Sequence, residues 1–177
     1  MAAGEQFSNH CAKDWLRSLM ILHRGHWNAA RIFDRVNLLL GIIATVMAAI
    51  SGATAFSKFG ELVTSVWSQL VISLFGLMAA AIVAVQTFFR SSELASRHKQ
   101  AAVKFGQLRR ELEESFDLGL PANFDARKEF LTSFRERWKV VDDKSPSIPD
   151  RIYQKAKTET EKKLETPEWS NFFNKVQ

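Results

Sequence analysis

The chain has 177 residues, with 24 Lys and Arg, 19 Asp and Glu, and a single cysteine. This length suits one domain, or one membrane module with an attached soluble part, and one cysteine excludes a disulfide framework and a Cys-based zinc site. All the charged residues lie outside two blocks of 22 and 28 residues, at 36–57 and 62–89. That uneven distribution excludes a uniform globular domain, and it excludes disorder as the main description.

The two uncharged blocks predict two membrane-spanning helices. At 1.5 Å per helical residue they reach roughly 33 Å and roughly 42 Å, whereas a hydrocarbon core is about 30 Å thick. The alternative is a buried hairpin inside a soluble protein, which is disfavoured because a domain of this size rarely hides two such long uncharged helices. A cleaved signal peptide is also disfavoured, because a polar segment with several arginines precedes the first block.

Charge bias predicts the orientation of these spans. The connection at 57–61 is so short that it forces an antiparallel hairpin with both termini on one side. The hairpin tip holds only Lys58, whereas basic residues flank the other ends of both spans. The positive-inside rule therefore predicts that both termini lie in the cytoplasm. The flanking basic residues are Arg17, Arg24, Arg31 and Arg35 before the first span, and Arg90, Arg97, Lys99, Lys104 and Arg109 after the second.

Three segments outside the spans are predicted to be cytosolic. They are an N-terminal amphipathic helix, a longer helical region and a short amphipathic segment, at residues 1–35, 90–165 and 166–177. No segment shows strand alternation or hairpin turn chemistry. The predicted fold is therefore all-α, an antiparallel two-helix transmembrane hairpin extended by a cytosolic helical bundle.

Apolar periodicity and helix-stop signals place the helices of that bundle. The helix after the second span is expected to end near Asp117, at Gly119 and Pro121. Asn123 or Asp125 can cap the next helix. The N-terminal helix carries an apolar stripe at Trp15, Leu16, Leu19, Leu22 and Trp27.

A proline-rich break at 145–149 precedes the last two predicted helices. Asp150 is expected to cap a helix that starts at Arg151. Its predicted i,i+4 ion pairs are Lys155–Glu159 and Lys157–Glu161. Thr166 is expected to cap the final helix, with Pro167 as its first residue. Its apolar residues are expected to dock on protein rather than on the membrane, and they are Trp169, Phe172, Phe173 and Val176.

Motifs of enzymatic chemistry are absent from the sequence, which has no Gly-rich phosphate loop, nucleophile elbow or Cys-x-x-Cys. His23 and His26 could share a metal ion, but no carboxylate lies at ligand spacing, which favours surface or packing roles. Glu111, Glu113 and Glu114 fit a solvated helix face better than a pair of acid–base catalysts. Cys11 fits a free, unreactive thiol. We therefore expect no enzyme, no metal and no cofactor.

The net charge of +5 does not require a nucleic-acid partner. Basic residues beside the spans face an anionic leaflet, which accounts for the excess, and the remaining charges are mixed in sign. The expected partners are the lipid bilayer and further copies of the chain.

Both spans carry rows of small and polar residues that predict close helix packing. Small residues let helices approach each other, and polar side chains hydrogen-bond across the contact, at about 1 kcal/mol each. These rows either hold one hairpin together or also join several hairpins around a polar path. We name them the seam, and its candidate pore or oligomer residues are Asn37, Gly41, Ala48, Ser51, Ser65, Gln69, Gly76, Ala79 and Gln86.

The order of several motifs resembles a known family. A Trp-bearing amphipathic helix leads into the hairpin, and then come 97–102, 145–149 and 153–157 at characteristic spacing. Over nearly the whole chain this arrangement is similar to the SLATT domain, the SMODS- and SLOG-associating two-transmembrane effector domain of bacteria. Packing roles are favoured over ligand contact for the positions that match the family pattern, which are His98, Pro146, Pro149, Tyr153 and Lys157.

The resemblance implies a role in antiphage defence. The family is predicted to form pores or otherwise damage the inner membrane after a partner detects infection. The sequence shows no added sensor domain, so the signal is expected from a separate sensor protein or a nucleotide second messenger. The alternative is a membrane-anchored helical scaffold or docking module without a pore.

Overall fold

The fold is built from helices. The computed structural model describes residues 3–57, 66–119 and 123–175, and every regular element in these ranges is an α-helix. The predicted all-α class is therefore confirmed. The helices are α1 (Ala3–Ser57), α2 (Val66–Phe89), α3 (Ser91–Asp117), α4 (Phe124–Asp143), α5 (Asp150–Leu164) and α6 (Pro167–Lys175).

α1 is a single helix of 55 residues that contains the predicted N-terminal helix and the first predicted span. Its length is more than twice the about 20 residues that cross a hydrocarbon core, so only part of it can lie in a bilayer. Arg31 and Arg35 precede the uncharged stretch and limit that part to residues 36–57. α2 covers most of the second span, while the predicted tip and residues 62–65 lie outside the described residues.

The chain divides into two compact units. One contains Met1–Ala30 and Ser96–Gln177, and we name it the helical bundle. The other, Arg31–Ala95, we name the hairpin.

The core of the helical bundle is formed by α1, α3 and α4. Trp15 stacks on Phe134 at 6.0 Å between ring centroids and meets Trp138 edge-on. The predicted apolar stripe of α1 is wrong at Trp27, which is 41% exposed. The helical repeat through residues 15, 19 and 22 continues to His26, so the histidine takes the buried position. The buried core residues are Leu16, Leu19, Met20, Ala101, Phe105, Leu108, Leu112, Phe116 and Phe134.

Turn and cap residues end the helices of the bundle close to the predicted positions. α3 stops at Asp117, and Gly119 follows with a φ of +84°, which glycine adopts without steric cost. Asn123 is the residue that caps α4, because its side chain accepts a hydrogen bond from the Asp125 N–H at 3.0 Å. Pro121 lies outside the described residues.

The predicted start of α5 is wrong by one residue. The helix begins at Asp150 with Pro149 as its N-cap. The reason is that the Pro149 carbonyl accepts hydrogen bonds from the N–H groups of Ile152 and Tyr153, at 2.9 and 3.0 Å, and so closes the first turn. Asp150 is thus an acidic residue of that turn, where it complements the helix dipole.

Two acidic residues of α5 pair with arginines of α1. Glu159 pairs with Arg24 at 2.8 Å, and Glu161 pairs with Arg17. The predicted pairs with lysines along α5 are therefore replaced by pairs between helices. Tight packing accompanies these pairs, because a Cβ placed on Gly25 of α1 would lie 2.9 Å from Cδ1 of Ile148.

α6 packs against the core of the bundle. Phe172 meets Phe116 edge-on at 6.1 Å, and Trp169 meets Phe172 at 5.5 Å. Docking of the C-terminal segment on protein is therefore confirmed for these two aromatic residues. The side chain of Phe173 and the whole of Val176 lie outside the described part of the chain.

Candidate functional site

The hairpin exposes its apolar surface. Two helices are long and apolar enough to cross a membrane, and only 11% and 6% of their most apolar windows are buried. A core helix of a soluble protein would be mostly buried, so these values argue against the soluble-hairpin alternative. Leucines such as Leu38, Leu70 and Leu77 are more than half exposed.

The two spans pair in one antiparallel register. Ser51 Oγ donates a hydrogen bond to the Ile72 carbonyl at 3.2 Å, and Gln86 Nε2 donates to the Asn37 carbonyl at 2.9 Å. From 37 to 51 and from 86 back to 72, each helix advances fourteen residues between these bonds. Midway along, Ala44 of α1 and Ala79 of α2 are both buried. The hairpin is therefore antiparallel, as predicted.

Part of the predicted seam lies between these two helices. Gly76 packs beside Ser51, whose Oγ is 3.5 Å from the position of a Cβ on that glycine. Gly41 packs beside Gln86, with Nε2 3.7 Å from the corresponding position. Both distances are ordinary van der Waals contacts. The small residues thus permit close packing, but an alanine would fit at either place.

Other seam residues lie outside the contact between α1 and α2. Ala48 and Gln69 are exposed on the hairpin, and Ser65 lies outside the described residues. The seam therefore splits between an inner set, which joins the two spans, and an exposed set, which faces away from the partner span.

A groove of about 610 Å³ runs along one side of the hairpin. The hydroxyls of Thr45 and Thr87 lie in it, but they donate to the carbonyls of Gly41 and Val83 on their own helices. The side-chain amide of Asn37 forms no hydrogen bond with any described residue. The groove is lined by Asn37, Leu38, Gly41, Ile42, Thr45, Val46, Val83, Gln86 and Thr87.

A buried histidine pair lies in the bundle, outside the residues 36–57 and 62–89 assigned to the spans. Nδ1 of His26 lies 3.0 Å from Nδ1 of His98, and the two residues are 2% and 1% exposed. One ring must donate and the other accept, so the two carry different tautomers. His26 also stacks on Phe105, with ring centroids 5.2 Å apart.

Burial keeps both histidines neutral. It lowers the pKa of His26 to about 4, and the neighbouring His98 adds to that effect. Burial likewise lowers the pKa of His98. The third ring, His23, lies against Gly106 instead. The described residues contain no group of three or more His, Cys, Asp or Glu side chains placed to hold a metal ion.

The other residues matched to the family pattern lie in or next to α5. Pro149 caps the helix, and Pro146 is half-buried in the connection before it. Tyr153 is 36% exposed and Lys157 is half-buried. Of the five positions, His98 is thus the one that is fully enclosed.

The predicted solvated glutamate face is wrong for Glu113, whereas Glu111 keeps a partly solvated side chain. Glu111 pairs with Arg137 of α4 at 2.6 Å. Glu113 lies 3.3 Å from Arg109, and the facing Oε1 and Nε atoms are buried without hydrogen-bond geometry. Burial raises the pKa of the Glu113 carboxyl, which Arg109 partly opposes. Only Glu114 is exposed, because α3 turns the other two toward neighbouring side chains.

Cys11 is a free, half-buried thiol of α1. Burial raises its pKa, and Asp14 raises it further. The thiolate is therefore scarcer than in an exposed cysteine, which fits the predicted low reactivity.

Comparison of the chain with protein-family models, with curated proteins and with solved structures gives no match. The resemblance to the SLATT domain accordingly rests on the sequence motifs alone.

Proposed function

We propose that the chain is a two-span effector of the bacterial inner membrane that permeabilises the membrane when a signal reports infection. The observation that carries this proposal is the combination of an apolar, exposed hairpin with a separately packed, charged bundle. The apolar hairpin suits insertion in lipid, and the charged bundle suits binding of a signal. The antiphage role follows from the resemblance to the SLATT domain.

The orientation proposed has both termini in the cytoplasm. Basic residues cluster where the spans join the bundle, whereas Lys58 is the only basic residue at the tip. Cysteine labelling in intact cells tests this orientation after Cys11→Ser removes the native thiol. A cysteine at 58 should react with an impermeant reagent, while cysteines at 5 and 170 should not.

Self-association is part of the proposal, and it is supported by polar surface on the hairpin. Gln69 is exposed on α2, in the first turn of the described helix. An exposed side-chain amide in a bilayer is stabilised by a partner on another helix or by the interface. We assign the exposed seam residues Gln69 and Ala48 to contacts between copies.

The proposed mechanism is not enzymatic. The helical bundle would hold the hairpins closed, with α6 packed on its core, until a sensor protein or nucleotide second messenger binds the bundle. No cofactor takes part, and the partners are lipid, further copies and that signal.

A specific observation also favours the scaffold alternative. Ser51 and Gln86 hydrogen-bond within a single hairpin, so these polar groups need no second copy. A membrane-anchored docking module would use the same hairpin without a pore.

Dye release from liposomes distinguishes the two functions. Purified chain is reconstituted in vesicles with a trapped dye, and Gln69→Leu is compared with Leu77→Ile, a change at a lipid-facing leucine. The pore proposal expects leakage from the parent and from Leu77→Ile, with a clear reduction for Gln69→Leu. Protein that resists carbonate extraction but releases no dye would be a scaffold instead. The same measurement is made on the chain that lacks residues 166–177.

A further inference from the structure

The groove of the hairpin has a chemical gradient along its length. One wall is formed by Leu38, Ile42 and Val46, which are spaced four residues apart on α1. Val83 and Thr87 form the facing wall on α2. The hydroxyls in the groove are bonded to their own helices, so most of this surface is apolar in effect.

Amides occupy one end of the groove. Gln86 uses one N–H on the Asn37 carbonyl. The side-chain amide of Asn37 has no hydrogen-bond partner among the described residues. These groups offer donors and acceptors to a ligand that lies in the groove.

Two arginines lie just beyond the amides. Arg35 precedes Leu38 by three residues and Ile42 by seven, so it continues the α1 wall. Arg90 follows the end of α2, and its N–H donates to the Gln86 carbonyl at 3.1 Å. The Arg90 side chain is 74% exposed although it meets Glu93 at 3.3 Å. The groove therefore passes from apolar walls, through hydrogen-bonding amides, to cationic side chains.

We propose that this groove binds one phospholipid with an anionic headgroup. An acyl chain lies between the apolar walls, the amides meet the glycerol esters, and Arg35 and Arg90 meet the phosphate. The volume lies within the range of about 300–1,000 Å³ that is common for ligand sites, and basic residues at a membrane surface favour anionic lipids. The inference rests on the proposed insertion of the hairpin in a membrane, but not on a pore.

The test measures lipid retained by the full chain. Protein is exchanged into detergent with equal phosphatidylglycerol and phosphatidylcholine, and native mass spectrometry counts each lipid bound. We expect one phosphatidylglycerol per chain, in preference to phosphatidylcholine. Neutralising both arginines as Arg35→Gln with Arg90→Gln should reduce that preference about 30-fold, at about 1 kcal/mol for each charge near the surface. Lys99→Gln with Lys104→Gln is the matched control and should not change it.

A pair of glycine variants tests the place of binding. Gly41→Leu fills the groove and should abolish retention, whereas Gly52→Leu, which has open space around it, should not. A photoreactive group within the acyl chain of phosphatidylglycerol should cross-link parent protein at Ile42 or Val83 rather than at Leu77. Equal retention of both lipids, or equal effects of the two glycine variants, would overturn the proposal.

The rival occupant of the groove is a second copy of the hairpin. If Gly41→Leu disperses oligomers without changing lipid retention, the groove belongs to an interface between copies and the lipid site is wrong. If the hairpin does not insert in the membrane, carbonate extracts the protein, and this result is distinct from a loss of lipid binding. If the chain inserts but forms no pore, only the dye-release assay is affected.

Discussion

Acidification should destabilise the helical bundle through the His26–His98 pair. The pKa of His26 is lowered from 6.5 to about 4 in the folded protein, mainly by burial. Between these two values the unfolded chain binds a proton that the folded chain does not, so stability falls as the pH falls. The contribution is complete above about pH 6.5 and is lost through pH 4. Between pH 7.5 and pH 4.5 the loss is about 2.5 kcal/mol for His26 alone.

Other titratable groups change the dependence of stability on pH, and they do so in opposite directions. Burial lowers the pKa of His98 and that of His23, and Arg109, Arg110, Arg24 and Lys163 lower the pKa of His23 further. Both shifts add to the loss of stability in acid. The raised pKa of Glu113 acts the other way, because the folded state then holds a proton more readily at low pH. A comparison between variants is therefore needed to isolate the pair.

The assay is urea unfolding of the full chain in lipid nanodiscs at pH 7.5 and pH 4.5, monitored by the fluorescence of its tryptophans, of which Trp15 and Trp138 pack against the core of the bundle. The variant His26→Phe with His98→Leu removes both partners, so that neither ring is left buried without a hydrogen bond, and Phe keeps the stacking on Phe105. Its loss of stability between the two pH values should be smaller by at least about 2.5 kcal/mol, the share of His26 alone, because the lowered pKa of His98 adds to it. If parent and variant lose stability equally, the histidine pair is not the source of the pH dependence.

Three further perturbations test packing elsewhere in the molecule. Gly25→Leu should destabilise the bundle by about 2 kcal/mol, because its side chain meets Ile148, whereas Gly52→Leu should have no effect on bundle stability in the same urea assay. Arg90 has a φ of +43°, so Arg90→Val should cost about 1–2 kcal/mol more than Arg90→Asn by thermal unfolding; equal stability of these two variants would contradict the reasoning. Deletion of 166–177 should preserve insertion but change the oligomer distribution in size-exclusion chromatography, and an unchanged distribution would make α6 dispensable for assembly.

Sequence patterns could predict the helices because their signals are local. Each signal lies within one continuous segment of the sequence. Examples are the uncharged stretches 36–57 and 62–89 and the helix stop at Gly119. The length and spacing of the apolar residues then leave little choice of fold class. The start of α5 was harder to place, because Pro149 supplies the first carbonyl of the helix through its backbone and not through a side chain.

Contacts between distant segments explain the predictions that were wrong. Glu159 has lysine neighbours on its own helix, but Arg24 of α1 is brought closer by packing at Gly25. His26 could have been identified as buried, since it continues the helical repeat of Trp15, Leu19 and Leu22. Its pairing with His98, 72 residues away, depends on the tertiary fold. The groove of the hairpin likewise depends on how α1 and α2 align with each other. The residue pattern of one span alone does not determine that alignment.

The placement of polar groups along the hairpin limits how a pore could open. The amides Gln69 and Gln86 lie near the two ends of α2, and Ser73 is the only polar side chain between them. The Ser73 hydroxyl donates to the Gln69 carbonyl, and Ser51 donates across to Ile72. These hydroxyls already donate their protons to carbonyls, so they can meet water only as hydrogen-bond acceptors. A path between copies would therefore take its hydrogen-bond donors from the amides near the two ends of α2, and not from these hydroxyls.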